Sequence, residues 1–266
     1  MSVQTLYTAA TGMEALETKL DVIANNMANI NTTGFKKDRA NFEDLFYRQI
    51  RVPGSENSDG SITPTGIEVG LGVRVASTQS DHDQGAFETT ENALDFAIEG
   101  SGFFQVAHPS GQTVYTRAGN FGINANNELV LGSANTGYRI EPSISIPEEA
   151  TEVVVSADGN VQYRTSDSPD LSSVGTIQIA TFINPDGLLK MGDNLFAETA
   201  ASGTATPGNP GDPGYGSLRQ GFLEASNVEP VTELIDLINT QRGFELNSQV
   251  VQAGDEIMQV VANIRR

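Results

Sequence analysis

Apolar residues recur at alternating spacings of three and four along the start of the chain: Leu6, Ala9, Met13, Leu16, Leu20, Ile23, Met27 and Ile30. That spacing keeps one narrow stripe of a helix apolar, as in the a/d seam of a coiled coil. The same spacing returns at the other end, at Leu246, Val250, Ala253, Ile257, Val260 and Ile264. The pattern predicts a first helix over residues 3–30, with Gly34 beyond it as a stop. It predicts a second helix starting with Val231, Leu234, Ile235 and Ile238, with Pro230 in its first turn and Ser226 or Asn227 near its cap. Helices of this length are marginal alone and need a partner for most of their stability. One pairing is the first helix against the second. The second helix also carries adjacent apolar pairs, Val250 with Val251, Ile257 with Met258 and Val260 with Val261. That extra face packs either on the chain's own β domain or against other subunits, and periodicity does not choose.

Between the helices the pattern changes to short β-rich runs, at Gly102–Ala107, Glu128–Leu131, Glu152–Ser156, Val161–Arg164 and Thr176–Phe182. Turn dipeptides such as Asp158-Gly159 and Asp186-Gly187 separate them, as hairpins require. No ten-residue helical period interrupts this region, which disfavours parallel βαβ units. The expected fold class is therefore α+β, with long terminal helices paired as a coiled-coil-like domain and an antiparallel all-β middle. The expected boundaries are 1–34 and 227–266 for the helical assembly domain, 35–74 for an extended connector, and 75–226 for a β-rich outer domain. Residues 200–217, rich in Gly and Pro, are expected to form a surface loop.

Charge sharpens the division. Residues 1–51 hold six basic and six acidic side chains, residues 242–266 hold three of each, and residues 52–241 hold 25 acidic against six basic. The whole net charge of −19 therefore sits in the middle. An acidic surface disfavours nucleic-acid backbones and anionic membranes, so no nucleic-acid partner is expected. Electroneutral ends, by contrast, can pack against copies of themselves without accumulating repulsion. A solvent-facing acidic domain with incidentally balanced ends is the plainer account of the same numbers. Phe35–Arg51 interleaves basic and aromatic residues, but Asp38, Glu43 and Asp44 cancel much of the charge.

Candidate chemistry is sparse. With no cysteine there is no disulfide, thiolate metal site or cysteine nucleophile. The two histidines, His82 and His108, lack metal-ligand spacing. Asp81-His82-Asp83 fails as a calcium loop, because its later positions are Gly85, Ala86 and Asn92. Gly100-Ser101-Gly102 is not a nucleophile elbow, and Gly70-Leu71-Gly72 lacks the third glycine of a dinucleotide fingerprint. No tryptophan is present to stack on a sugar ring. Neither enzymatic activity nor a cofactor or metal is expected. No run of eighteen apolar residues occurs, and no basic segment followed by an apolar core marks a cleaved secretory signal.

Asp21–Lys37 (DVIANNMANINTTGFKK) resembles the N-terminal signature of bacterial flagellar rod and hook proteins, carried here by Asp21, Asn25, Asn26, Asn29, Thr33, Gly34 and Phe35. Glu224–Met258 is similar to the closing helix of that family. Gly100–Val106 (GSGFFQV), Tyr115–Phe121 (YTRAGNF) and Gly221–Val228 (GFLEASNV) match in kind and order. Within the family the connector from Tyr47 to Arg74 is most similar to that of distal-rod members, with a proximal rod or hook relative as the alternative. The resemblance implies a helical homopolymer with the terminal helices as an inner tube and the β domain outward. It further implies export through the flagellar apparatus, and contact with proximal rod proteins, the hook protein, and periplasmic and outer-membrane ring proteins. The object would be a rod crossing the periplasm in the basal body and serving cell motility. A different class, a monomeric acidic β-rich binding module, would instead keep its helices on its own side. The asparagines at 25, 26, 29 and 31 leave two readings open: a polar contact with neighbouring chains, or a frayed helix end. Where the family commonly has Ala-Tyr, this chain has Gly243-Phe244, and glycine costs a helix about 1 kcal/mol relative to alanine.

Overall fold

The computed structural model describes residues 3–54, 65–132, 137–166 and 168–264. It has a helix at each end and a mainly antiparallel β middle, an α+β arrangement. The chain divides into two units. Unit 1 comprises residues 1–27, 38–79 and 229–266, and unit 2 comprises 28–37 and 80–228.

Unit 1 holds helix α1 (Val3–Ala28), strands β1 (Asp38–Asp44), β2 (Tyr47–Arg51), β3 (Ile67–Gly70) and β4 (Val73–Ser80), and helix α2 (Pro230–Ile264). The asparagines after Met27 are poor helix formers, and α1 gives way to turns from Asn29. Within and just after the stretch expected as an extended connector, β1 pairs with β4, and β2 pairs with β3 nested inside them. Side chains brace the outer ladder, with Arg39 Nη2 donating to Gln79 Oε1 (2.8 Å) and Arg74 paired with Glu43 (2.8 Å). The centre of the connector, residues 55–64, lies outside the described residues.

Unit 2 holds β5 (Phe87–Thr89), β6 (Phe96–Glu99), β7 (Phe103–Ala107), β8 (Thr113–Thr116), β9 (Phe121–Ile123), β10 (Leu129–Leu131) and β11 (Arg139–Ile140). There follow β12 (Ala150–Val155), β13 (Asn160–Thr165), β14 (Ser168–Thr176), β15 (Ile179–Thr181), β16 (Leu189–Gly192), β17 (Leu195–Ala197), β18 (Thr206–Gly208), β19 (Ser217–Gln220) and β20 (Phe222–Glu224). Among the described residues the main sheet runs β16-β17-β8-β7-β11-β10-β9, with β15 joining β7 to β18. Strands β12, β13 and β14 form a separate meander, and β19 pairs β6 while β20 pairs β5.

The period-two rule explains the core. Phe104, Val114, Ile179 and Leu195 point to one side of the main sheet, into a cluster with Phe96, Phe121, Leu131 and Ile177. Their neighbours Phe103, Tyr115, Ala180 and Phe196 point to the other side and form a second cluster with Leu188. Each fully buried side chain of this size contributes about 1.5–3 kcal/mol. The 200–217 stretch is not a free loop. It supplies β18 to the sheet, buries Ser202 and Pro210, and is pinned where Tyr215 Oη donates to the Thr206 and Pro207 carbonyls.

Candidate assembly surfaces

The first seam lies inward within unit 1. Ala9 and Ile23 are buried, and Leu6, Met13, Leu16, Leu20 and Met27 are half-buried; Ile30, also half-buried, lies past the end of α1 and belongs to unit 2. Ala15, off the predicted stripe, is buried as well.

The second seam behaves differently. Leu246 is 61% exposed and Val260 57%, and Val250, Ala253 and Ile257 are also exposed. The side chain of Ile264 lies outside the described residues. The stripe continues toward the start of α2 through Val231, Leu234, Ile235 and Ile238, all exposed. The face that α2 turns toward α1 is mixed: Glu233 and Thr240 are buried, Gly243, Asn247 and Gly254 follow along it, and Leu237 and Val251, on the same stripe by spacing, are half-buried. A methyl on Gly243 would stand 3.3 Å from Leu16 Cδ1, one on Gly12 would stand 3.1 Å from Asn247 Nδ2, and one on Gly254 would collide with Leu6. Asn26 Nδ2 donates to Glu233 Oε1 (3.4 Å). As α1 advances from Leu6 to Asn26, its partners on α2 run back from Gly254 to Glu233, so the helices are antiparallel. Gly243 therefore has a packing reason: it makes room for Leu16.

Several signature residues make contacts within the chain. Asn26 is buried, its Nδ2 donating to the Asp38 carbonyl (2.8 Å) and its Oδ1 accepting from the Asp38 N–H (2.9 Å). A side chain thus stands in for a strand partner at the start of β1. Asn29 Oδ1 accepts from the Thr32 hydroxyl, and the Thr33 carbonyl accepts from Asn194 Nδ2 (3.1 Å). Gly34 has φ +69°, and a Cβ there would stand 2.6 Å from the Ala118 nitrogen. Only glycine meets both demands cheaply. Lys190 Nζ lies 5.2 Å from the centre of the Phe35 ring. Asp21 and Asn25 are exposed on α1, and Asn25 keeps a contact of its own.

Next to the signature, unit 2 buries three charges that hydrophobic patterning does not reveal. Glu224 Oε1 accepts from Lys36 Nζ (2.6 Å) and from the Gly85 N–H (3.0 Å), while Oε2 accepts from Arg117 Nη1 (3.3 Å). Lys36 and Glu224 side chains are fully buried. Burial pushes the Lys36 ammonium below its ordinary range, against the opposing pull of Glu224, and does the same to Arg117. His82 packs edge-on against Phe103 (5.6 Å) and Phe196 (5.5 Å), with no hydrogen-bond partner for either ring nitrogen among the described residues.

Burial first, then the nearby Lys36, lowers the His82 pKa from 6.5 to about 4; Asp186 pulls the other way, and Arg117 and Lys190 add to the lowering. The unfolded chain therefore binds more protons between these two values. The stability this neutral ring contributes is intact above pH 6.5 and is lost as pH falls toward 4. We expect up to about 3 kcal/mol of unfolding free energy to disappear across that window. Urea midpoints measured from pH 7 to 4 check this, and His82→Phe should flatten the His-dependent part of the curve.

Three family profiles match the chain. The profile described as flagella basal body rod protein covers residues 6–36, that of the flagellar hook protein FlgE/F/G D1 domain covers 97–163, and that of the flagellar basal body rod FlgEFG protein C-terminal covers 219–264. Among curated relatives, the flagellar basal-body rod protein FlgG of Caulobacter vibrioides is 46% identical over 263 residues, covering 98% of this chain and 99% of the relative. That of Borreliella burgdorferi is 43% identical with 98% of each chain covered, and that of Bacillus subtilis 40% with 99% of each. The chain belongs to the FlgG family of flagellar basal-body rod proteins. It is a structural subunit of the flagellar basal-body rod, not an enzyme. The matched segments at 6–36 and 219–264 contain α1 from Leu6 onward with its asparagine signature, Glu224, and all of α2. The buried Lys36 and Glu224 thus fall inside two profile segments far apart in sequence.

Proposed function

We propose that the subunit self-assembles into a rigid helical tube and transmits torque across the periplasm. The reading rests chiefly on one observation: α2 packs toward α1 with few large apolar side chains and leaves two runs of them exposed, Val231–Ile238 and Leu246–Val260, parted by the polar Asn239, Gln241 and Arg242. Isolated exposed apolar residues are ordinary, but repeated ones along one side of a long helix mark a surface that another molecule covers. Copies of the same chain supply that cover in this proposal. The terminal helices, 1–34 and 227–266, would form the coiled-coil-like assembly domain. The 35–74 segment would act as the connector, and 75–226 as the outer, acidic domain. The Leu6–Ile30 seam then serves the subunit's own helix pair, and the Leu246–Ile264 seam serves neighbours. A heterologous contact of this kind repeats into a helix instead of closing on itself. Proximal rod proteins, the hook protein and the ring proteins would meet the two ends and the outer surface of the tube, and the subunit would reach it through the flagellar export apparatus. Electron microscopy of the concentrated purified chain, paired with sedimentation, tests the proposal. Tubes are the expected result. A strictly monomeric chain whose circular dichroism already shows both terminal helices fully formed would overturn it in favour of a binding module.

A further inference from the structure

The chain leaves unit 2 after Lys37, re-enters it at Ser80, and leaves again after Val228. The three segments beside these points are laced together by two residues of the GFLEASNV motif that the assembly surfaces do not use. Asn227 Oδ1 accepts from the Lys37 N–H (2.8 Å), and its Nδ2 donates to the carbonyls of Asp81 (2.8 Å) and Asp83 (3.2 Å). Glu224 reaches the same segments three residues earlier: its side chain holds Lys36 and the Gly85 N–H, and its carbonyl accepts from Gly34 (2.8 Å). Lys36 Nζ also donates to the Asp83 carbonyl (2.7 Å), and the Asp81 N–H donates to the Lys37 carbonyl (2.8 Å). Asn227 was expected near the cap of α2; the structure spends its amide on this lacing instead.

We propose that Glu224 and Asn227 form a clasp that ties these three ends of the β-rich unit together, so that a pull on one is shared by all. Without the clasp each end would peel away one hydrogen bond at a time. With it, several bonds, some of them charge-assisted, must break together. The inference rests on the rod reading for its purpose, since a subunit that carries torque is loaded through these ends. Asn227 is a positioning residue here, and Glu224 anchors it from the buried side.

Asn227→Ala in the full chain is the test, with Val161→Ala, a cavity in the buried core of the same unit, as the control for plain destabilisation. Hydrogen exchange on the soluble chain should show the Lys37 and Asp81 amides exchanging at least about fivefold faster in N227A. V161A should not single out those two amides. In cells, rods carrying N227A should support swimming in dilute medium but lose more than half the wild-type speed in viscous polymer, whereas V161A should not. Unchanged exchange at Lys37 and Asp81 would overturn the clasp, as would equal loss of loaded swimming in both variants. Should N227A fail to build rods, the exchange result on the soluble chain decides alone. Absence of the wild-type chain from isolated rods would instead overturn the rod reading and leave the exchange result standing.

Discussion

Glu224→Gln is expected to cost about 3–5 kcal/mol, the range for breaking a buried ion pair by removing one partner. The reason is arithmetic of charge in a dry place: one carboxylate balances two cations, Lys36 and Arg117, whose side chains are nearly or wholly buried. The amide can still accept from Lys36 and from the Gly85 N–H, but it cancels no charge. Lys36→Met is expected to cost clearly less, because it leaves Arg117 and Glu224 as a one-to-one pair. Lys36 is also the member that burial already pushes toward its neutral form. Urea denaturation of the full chain, followed by the loss of β-sheet signal, gives the order of the two variants. Equal or reversed costs would mean that the carboxylate is not what holds the cluster. Asp81 also pulls on Lys36, an attraction kept in Glu224→Gln and lost in Lys36→Met, so it narrows the gap between the two variants.

The cluster shows where a single sequence stops being readable. Lys36, Arg117 and Glu224 are separated by 81 and 107 positions in the chain, and each alone resembles a solvated charge. Only the return of β20 beside the 34–37 segment, where the Gly34 N–H meets the Glu224 carbonyl, and the reach of Arg117 to the same carboxylate bring them together. Apolar periodicity was legible wherever it had one job. The α1 stripe predicted a helix, and the β-rich run at Gly102–Ala107 predicted a strand. In α2 the stripe was equally visible, yet its direction was not, because the face that meets α1 sets the half-buried Leu237 and Val251 among residues that are polar or small: Glu233, Thr240, Gly243, Asn247 and Gly254. Those residues carry no hydrophobic signal; their fit depends on Leu6 and Leu16 filling space that the glycines leave. Polar strands were missed for a related reason. Strand β14 (Ser168–Thr176) reads as a loop, and it is held by its backbone ladder to β13 more than by any apolar face. Likewise β18 lies within a Gly/Pro-rich run that composition alone assigns to the surface. The asparagine signature was legible as a signature only. That Asn26 would substitute for a strand partner of Asp38 requires the chain's turn after α1, which no local propensity specifies.

Leu246→Asp and Ile257→Asp should abolish assembly while leaving the isolated subunit's stability within about 0.5 kcal/mol of wild type, because both positions are exposed in the subunit. In the assembled state each variant would bury an unpaired carboxylate in every subunit. The cost per ion is several kcal/mol, and it recurs at every contact along the tube. Leu16→Asp sets the contrast. Leu16 is half-buried against Gly243, so its aspartate should destabilise the subunit itself by about 2–4 kcal/mol as well as weaken assembly. Thermal unfolding of the soluble chain separates the two classes, and light scattering with electron microscopy reads polymerisation. Normal tubes from Leu246→Asp and Ile257→Asp would place the intersubunit contact elsewhere. A large loss of monomer stability in those two variants would mean that the exposed stripe is already covered within the subunit. The division of labour argued from burial predicts neither: one seam belongs to the fold and can be broken only by breaking the fold. In the proposed tube the other is covered by neighbouring copies, and a single charge there should leave a sound subunit with nothing to build.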